Sequence, residues 1–442
     1  MKLIKSLKKI DYKLFFALIV LGLVPTLYTT VRVFFLGGFP SEYSFSIAGQ
    51  LSWVNLFYEI IQEGIILPLY FFMGKVISDK EKLTNRVKTG LIVSFVIYFI
   101  LSLVIFIFAK PLLSLMATST DIIEQSATYI RIETVASLVG ILSSFLLVVL
   151  VQIGKQKYLY YLTGLKLIMC VLLDTFLVSN IGVSAKLGVN GIGITNIIVN
   201  VVLFILSLIL VNKENIKIFV KSKLDFSWMR EFAKIGGISG LESFVRNIAY
   251  MLMICRMVNV VGEQGTYWVA NNFIWGWLLL PILQLGELIK KDCAEDEKAI
   301  QNKSLGYFGI TVIVCLLWCI TIPLWRPFMV NVLQFNEVDK LFELVMVLLG
   351  FYVVFAFQNV FDAIFYGIGK TSYMLFESIV TNSIYYGGAF ILYVTGVFVP
   401  TLTGIALLFG IGMAFDSVVS LGAYIYLLKK RNVNIFNVGN NL

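Results

Sequence analysis

Two arginines, Arg32 and Arg246, stand in apolar sequence about half the chain apart, each preceded by a valine. Hydrocarbon tolerates a guanidinium only when it faces a cavity, water or a partner, so such a charge carries a functional hypothesis by default. Its rigid fork of donors suits a carboxylate or a phosphate, which makes each arginine a candidate anion site. Plainer readings stand beside this one. Arg32, in the outer half of its helix, could snorkel to the interface, and Glu242 stands one turn before Arg246 in the favourable order for neutralising it.

Glu59 and Glu63 are also one turn apart. Two carboxylates that close in a low dielectric do not both ionise readily, which suits a proton carrier. The alternative is structural neutralisation of Arg131, Lys166 or Arg256. The chain has no histidine, so any proton coupling must use carboxylates. Gln50 with Trp53 and Asn272 with Trp275 each place an amide near an indole, a combination suited to the wall of an amphipathic-ligand cavity, with Trp268 and Trp277 adding aromatic surface. Tryptophans of an interfacial belt are the other reading. Asp362 and Glu287 fall near helix ends and read as interfacial, while Glu377 and Asp416 carry no assignment. The five cysteines show no CxxC pair and read as inert thiols. No metal site and no cofactor is expected.

Apolar helices must hold these residues. The 442 residues are 59% hydrophobic and 14% charged, against roughly 25% charged in soluble domains. Apolar runs reach the length of about 20 residues needed to cross a bilayer. Twelve spans can be drawn, near 14–36, 44–76, 88–115, 125–152, 157–180, 187–212, 231–260, 265–289, 304–325, 338–367, 371–396 and 401–428. Pro25 should bend the first. The lysines before it suggest a leader, but no small-residue cleavage site follows, so the helix is read as retained. Leu3, Ile4, Leu7 and Ile10 recur on one face among those lysines, and the segment reads as lying along an anionic membrane surface or as a solvated tail.

Basic residues concentrate in the tail, in alternate loops and at the C-terminus, and the opposite loops hold only Lys110, Lys186, Arg326 and Lys340. This asymmetry places both termini in the cytoplasm of a multi-pass protein. The net charge of +9 then reflects topology and contact with anionic lipid, not nucleic acid.

The chain also repeats itself at nearly one offset. Ile47-Ala48-Gly49-Gln50 through Trp53 echoes Val269-Ala270-Asn271-Asn272 through Trp275, and Val31-Arg32 returns as Val245-Arg246. Ile153-Gly154-Lys155 returns as Ile368-Gly369-Lys370, and Asn190-Gly191-Ile192-Gly193 as Thr403-Gly404-Ile405-Ala406. Six spans per half keep both halves in one orientation. The expected architecture is an all-α membrane protein of two six-helix lobes, 1–212 and 231–442, joined by a cytoplasmic linker at 213–230 and related by an axis along the membrane normal.

An ordered set of strings carries a resemblance. Val31-Arg32 to Gly37 ends the first helix, Tyr129-Ile130-Arg131-Ile132 opens the fourth, and Leu172-Leu173-Asp174 lies in the fifth. Gly188-Val189-Asn190-Gly191-Ile192-Gly193 follows it, and Ile235-Gly236-Gly237-Ile238-Ser239-Gly240-Leu241-Glu242 opens the seventh. Together with the twelve spans and the repeat, this resembles the multidrug and toxic compound extrusion (MATE) family over the whole chain. The resemblance implies a monomeric secondary antiporter of a bacterial cytoplasmic membrane that exports small organic molecules against H+ or Na+. It also implies a cation site at Asp174. Arg32 stands where that family's first helix carries aspartate, and Arg246 aligns with a carboxylate of the seventh. The reversals point to an anionic or zwitterionic substrate at Arg32, Gln50, Trp53, Arg246, Asn272 and Trp275, with Asp174, Glu59 and Glu63 carrying the coupling ion. Alternatively, Arg32 pairs with Asp174 in a closed salt bridge. A flippase for an anionic lipid-linked oligosaccharide is the alternative function. An embedded acyl- or glycosyltransferase is disfavoured by the missing histidine and the short loops.

Overall fold

The computed structural model describes residues 2–39, 43–220, 223–296 and 298–437. All regular structure among them is helical. The elements are α1 (Lys2–Lys8), α2 (Tyr12–Gly37), α3 (Ser44–Gly49), α4 (Leu51–Gly74), α5 (Lys80–Leu115), α6 (Thr120–Gln152), α7 (Lys157–Leu177), α8 (Val189–Lys213) and α9 (Met229–Tyr250). They continue with α10 (Arg256–Val260), α11 (Gln264–Phe273), α12 (Leu280–Glu295), α13 (Ala299–Asn331), α14 (Val338–Gly367), α15 (Ser372–Val380), α16 (Gly387–Val394) and α17 (Leu402–Lys430). Three π turns, Met251–Cys255, Ile274–Leu278 and Thr381–Tyr386, interrupt the α geometry.

Among the described residues eight helices are long and apolar enough to cross a membrane: α2, α5, α6, α7, α8, α13, α14 and α17. A bent pair, Gln264–Leu278 with Leu280–Glu295, makes up to nine. Its 53° bend has a local cause, a π turn running directly into a helix with proline in its first turn. The spans read at 44–76, 231–260 and 371–396 are helical as well. The first two carry the charged residues Glu59, Glu63, Glu242 and Arg246, and the last two contain π turns. Pro25 lies within a continuous α2. There Thr26 donates to the Gly22 carbonyl at 3.4 Å and Thr30 to the Thr26 carbonyl at 2.7 Å.

The chain divides into two compact units, Val31–Trp268 and Met1–Thr30 with Val269–Leu442. Their boundaries fall inside α2 and α11, whereas the sequence places its lobe boundary at 213–230. The first unit has a core in which Trp53, Phe72, Tyr98 and Phe145 are wholly enclosed. Within it α9 packs along α4 at glycines. A β-carbon on Gly236 would stand 2.1 Å from the Gly64 carbonyl oxygen, and Gly64 and Gly240 are also close. Small residues let two backbones approach where lipid supplies no hydrophobic drive. This contact groups α9 with α4 in one unit.

In the second unit α1 docks on α13. The buried Ser6 hydroxyl donates to the Asn302 carbonyl at 2.9 Å and accepts from the Gly306 amide at 2.8 Å. A β-carbon on Gly306 would meet the Ser6 carbonyl at 3.0 Å. The lysine-rich start of the chain is therefore a helix seated on α13 and not a free solvated tail. Of its apolar face, Ile10 is buried and Leu7 partly so, while Leu3 and Ile4 stay exposed.

One repeated string has the same local structure in both places. After α6, Ile153-Gly154-Lys155 turns with Gly154 at φ +77° and the Lys155 amide bonded back to the Leu150 carbonyl at 2.9 Å. After α14, Ile368-Gly369-Lys370 does the same, with Gly369 at φ +68° and Lys370 bonded to Phe365 at 2.8 Å. A left-handed residue followed by this backward bond is the Schellman end of a helix, and glycine adopts it without strain.

Candidate functional site

Arg32 on α2 faces Asp174 on α7. Its Nε donates to Asp174 Oδ2 at 2.7 Å, and its Nη2 donates to Asn196 Oδ1 on α8 at 2.8 Å. The Cys170 sulfur lies 3.7 Å from Nη2. Asn196 in turn donates to both carboxylate oxygens of Glu133 on α6, at 2.8 and 3.1 Å. Arg32, Asp174 and Glu133 are all buried. The side chain does not snorkel, because a carboxylate and an amide inside the protein take its hydrogens. One guanidinium thus serves Asp174 directly and Glu133 through Asn196, whose carbonyl accepts from Arg32 and whose amide donates to Glu133. Glu133 was not singled out from the sequence. Its only signal there was a carboxylate two residues after Arg131, in a helix otherwise poor in charge.

Arg246 on α9 gathers three carboxylates. Its Nη2 lies 2.6 Å from Glu63 and 3.4 Å from Glu59, both on α4, and its Nε lies 3.9 Å from Glu242. Glu242 is the most distant of the three, so neutralisation runs mainly across to α4. Glu59 and Glu63 accordingly have Arg246 as their cation. Arg131 instead donates to the Phe106 carbonyl at 3.1 Å and Arg256 to the Leu115 carbonyl at 3.0 Å. Leu115 ends α5, where a cationic side chain suits the free carbonyls, and Phe106 lies beside the kink of α5 at Phe108, ahead of Pro111. Beside this cluster, an apolar cavity of about 570 Å³ is lined by Ile60, Ile61, Gly64, Val93, Phe232 and Gly236 among others.

The amide–indole pairs part company. Gln50 and Trp53 are fully enclosed. The Trp53 indole donates to Gln50 Oε1 at 3.2 Å, which also accepts from Thr118 at 3.0 Å, and the Gln50 amide donates to Asn259 at 2.8 Å. That pair closes an internal polar network and does not line an open wall, because every polar atom the ligand would need already has a protein partner. Trp275, by contrast, is 39% exposed and donates to the Tyr352 hydroxyl at 3.2 Å. Asn272 is half-buried beside it. Trp268 packs on Phe45, and Trp277 donates to Thr30 at 3.0 Å.

A further set lies in the second unit and was passed over in the sequence. Asp416 on α17 accepts from the Gln358 amide of α14 at 2.6 Å and from the Thr381 hydroxyl at 2.6 Å. Asp362, half-buried near the end of α14, accepts from Ser420 of α17 at 2.9 Å. Glu377 on α15 is buried. Its signal was present as i,i+4 polar pairs in apolar helices: Gln358 with Asp362, Glu377 with Thr381, and Asp416 with Ser420. Glu287, for its part, is surface-exposed and bonded to Lys290 at 2.7 Å.

These features define an integral membrane protein of long apolar helices that holds clusters of opposite charge inside its compact units. Residues 19–176 match the MatE family, and the whole chain has the MATE fold. A multidrug resistance MATE transporter of the MOP superfamily in its inward-facing conformation aligns with a TM-score of 0.73 at 18% identity, covering 92% of this chain and 94% of that one. An outward-facing structure of such a transporter gives 0.69 at 18% identity, covering 98% and 99%. A MOP superfamily transporter from Pyrococcus furiosus, described as having a binding pocket of reverse polarity that suggests a different function, gives 0.67 at 16% identity over 98% and 99%. No curated protein matches the chain by sequence.

Proposed function

We propose that this protein is a cation-coupled secondary antiporter that exports small organic molecules by alternating access. In this reading it works in a bacterial cytoplasmic membrane with both termini inside. The observation that carries the proposal is the match of nearly the whole chain to transporters in both inward- and outward-facing conformations.

The charge geometry sharpens the mechanism. An anionic or zwitterionic substrate at Arg32 must displace Asp174, and protonation of Asp174 favours that displacement. Binding effects are reciprocal, so proton and substrate would then favour each other at that pair. Ions that favour each other's binding travel together, whereas exchange needs them to oppose. The coupling ion, H+ or Na+, therefore belongs on carboxylates other than the substrate arginine's own partner. Glu59 and Glu63, which with Glu242 outnumber the single guanidinium of Arg246, meet that requirement when the substrate binds at Arg32 and Arg246 is left to hold these carboxylates.

The test is flux in proteoliposomes driven by a sodium gradient or by a pH gradient. Glu59→Gln and Glu63→Gln are expected to abolish gradient-driven accumulation under the gradient that works. Loss in Asp174→Asn with full coupling in both glutamate variants would return the coupling ion to α7 and overturn this assignment.

The flippase reading has two observations of its own. Arginines stand where the MATE resemblance expects carboxylates, and the apolar cavity on α4 and α9 could take a lipid chain. Translocation of a fluorescent anionic lipid without any ion gradient, with no export of soluble compounds, would favour it.

A further inference from the structure

Asp362, Glu377 and Asp416 come from three segments of the second unit, α14, α15 and α17, and differ in kind from the two arginine clusters. Among the described residues, neither the donors that reach them nor the charged groups facing them include a lysine or an arginine. Asp416 is held by the Gln358 amide and the Thr381 hydroxyl, each at 2.6 Å, and Asp362 by the Ser420 hydroxyl at 2.9 Å. Ser417 donates to Gln358 Oε1 at 2.7 Å, which orients that amide so that its hydrogens point at Asp416. The titratable groups facing the cluster are these three acids, with Tyr386 from the π turn beside Asp416.

Glu377 sets the chemistry. Its side chain is 3% exposed and lies against Asp362 and Ser420. Its Oε1 is buried and receives no hydrogen bond among the described residues. Two carboxylates that face each other are both acceptors, and no bond forms between them unless one carries a hydrogen. Three negative charges with only neutral donors around them, Glu377 buried and both aspartates half-buried, are also costly where water is largely excluded. Protonating one acid resolves both problems.

We propose that Asp362, Glu377 and Asp416 form a proton-binding site, with the mobile proton held between Glu377 and Asp362. A metal ion fits less well. Hard cations need convergent oxygens whose lone pairs are free, and here hydroxyl and amide hydrogens already point at the carboxylates. No group of residues suited to a metal ion occurs among the described residues. The setting also offers a way to transmit the proton's arrival. Thr381, which bonds Asp416, is the first residue of the π turn Thr381–Tyr386, one helical turn after Glu377. Single π turns mark places where helices carry function. Losing or gaining a proton alters what Glu377 and Asp416 demand of that segment.

As part of the transport cycle this inference rests on the antiporter reading, but proton binding can be measured without transport. Infrared difference spectra of the detergent-solubilised full chain report the protonated-carboxyl stretch. The site predicts such a band near neutral pH that Glu377→Gln removes, that Glu377→Asp keeps at a shifted pH, and that the surface variant Glu287→Gln leaves alone. In proteoliposomes, Glu377→Gln and Asp416→Asn should lower pH-driven flux by about tenfold, a coupling of ordinary size. An unchanged band in Glu377→Gln, or loss in that variant of sodium-driven flux alone, would overturn the proposal. If the wild type moves no compound under any gradient while the band behaves as stated, the transport reading fails and the proton site stands.

Discussion

Arg32 decides most at the level of single residues. Its ion pair with Asp174, at 2.7 Å with side chains 10% and 0% exposed, is sealed, so removing one partner leaves the other charge without compensation. Breaking a buried pair typically costs about 3–5 kcal/mol, whereas replacing both members with apolar groups is close to neutral. Arg32→Ala and Asp174→Ala should each lower the melting temperature sharply, and Arg32→Leu with Asp174→Leu should recover most of the loss. A double variant as unstable as the worse single would show that Asn196 and Glu133, rather than the pair, hold the site. Arg32→Lys should not rescue, because an ammonium lacks the fork that reaches Asp174 and Asn196 together. Both arginines and Asp174 were legible as candidates, since a charge in an apolar run is conspicuous. Their partners were less so. Glu59 and Glu63 meet Arg246 only because α9 crosses α4, and spacing along the chain cannot reveal a crossing. Gln50 and Trp53 misled for the same reason: position on a helix suggested a wall, and Thr118 and Asn259 from distant sequence turned it inward.

The decisive element is the α4–α9 crossing. The sequence shows glycines at 236, 237 and 240, but not that 236 and 240 meet Gly64 while a β-carbon on Gly237 would meet nothing. Gly236→Ala drives a methyl group to 2.1 Å from a backbone oxygen, which cannot move as a side chain could. Overpacking of this kind costs about 1–3 kcal/mol, so the variant should melt earlier, while Gly237→Ala should match or exceed the wild type. Equal losses at both positions would remove the close crossing as the cause.

Turn ends were more legible. Gly154 and Gly369 were visible as a repeated string, and each proved to be a left-handed helix stop. The loop after Gly154 also sets a pH dependence. Lys155 lies 3.0 Å from Glu214, which also accepts from Tyr158 at 3.1 Å, and the lysine's hydrogen bond holds the Glu214 carboxyl below the usual carboxylate range. A carboxyl lowered on folding contributes stability above its unfolded value of about 4.3 and loses it as pH falls through the lower folded value. The melting temperature of Glu214→Gln should therefore depend less on pH below about 4.3 than that of the wild type, and parallel curves would deny the contact any role.

At the scale of the whole molecule, apolar run length made the membrane fold readable, because helices that must cross a bilayer need about 20 apolar residues in a row. The proton cluster on α14, α15 and α17 was not readable, because its acids lie far apart in sequence and each looks unremarkable alone. In the proposed antiporter, charge reversal at Arg32 changes what the protein carries. The direct measurement is pH-gradient-driven flux of matched anionic, zwitterionic and cationic fluorescent compounds in proteoliposomes, comparing the wild type with Arg32→Ala at equal levels of folded protein. The wild type should move an anionic or zwitterionic compound, and Arg32→Ala should slow it by about tenfold, the equivalent of about 1.4 kcal/mol. Unchanged anion flux in Arg32→Ala, or a wild type that moves cations alone, would contradict the proposal.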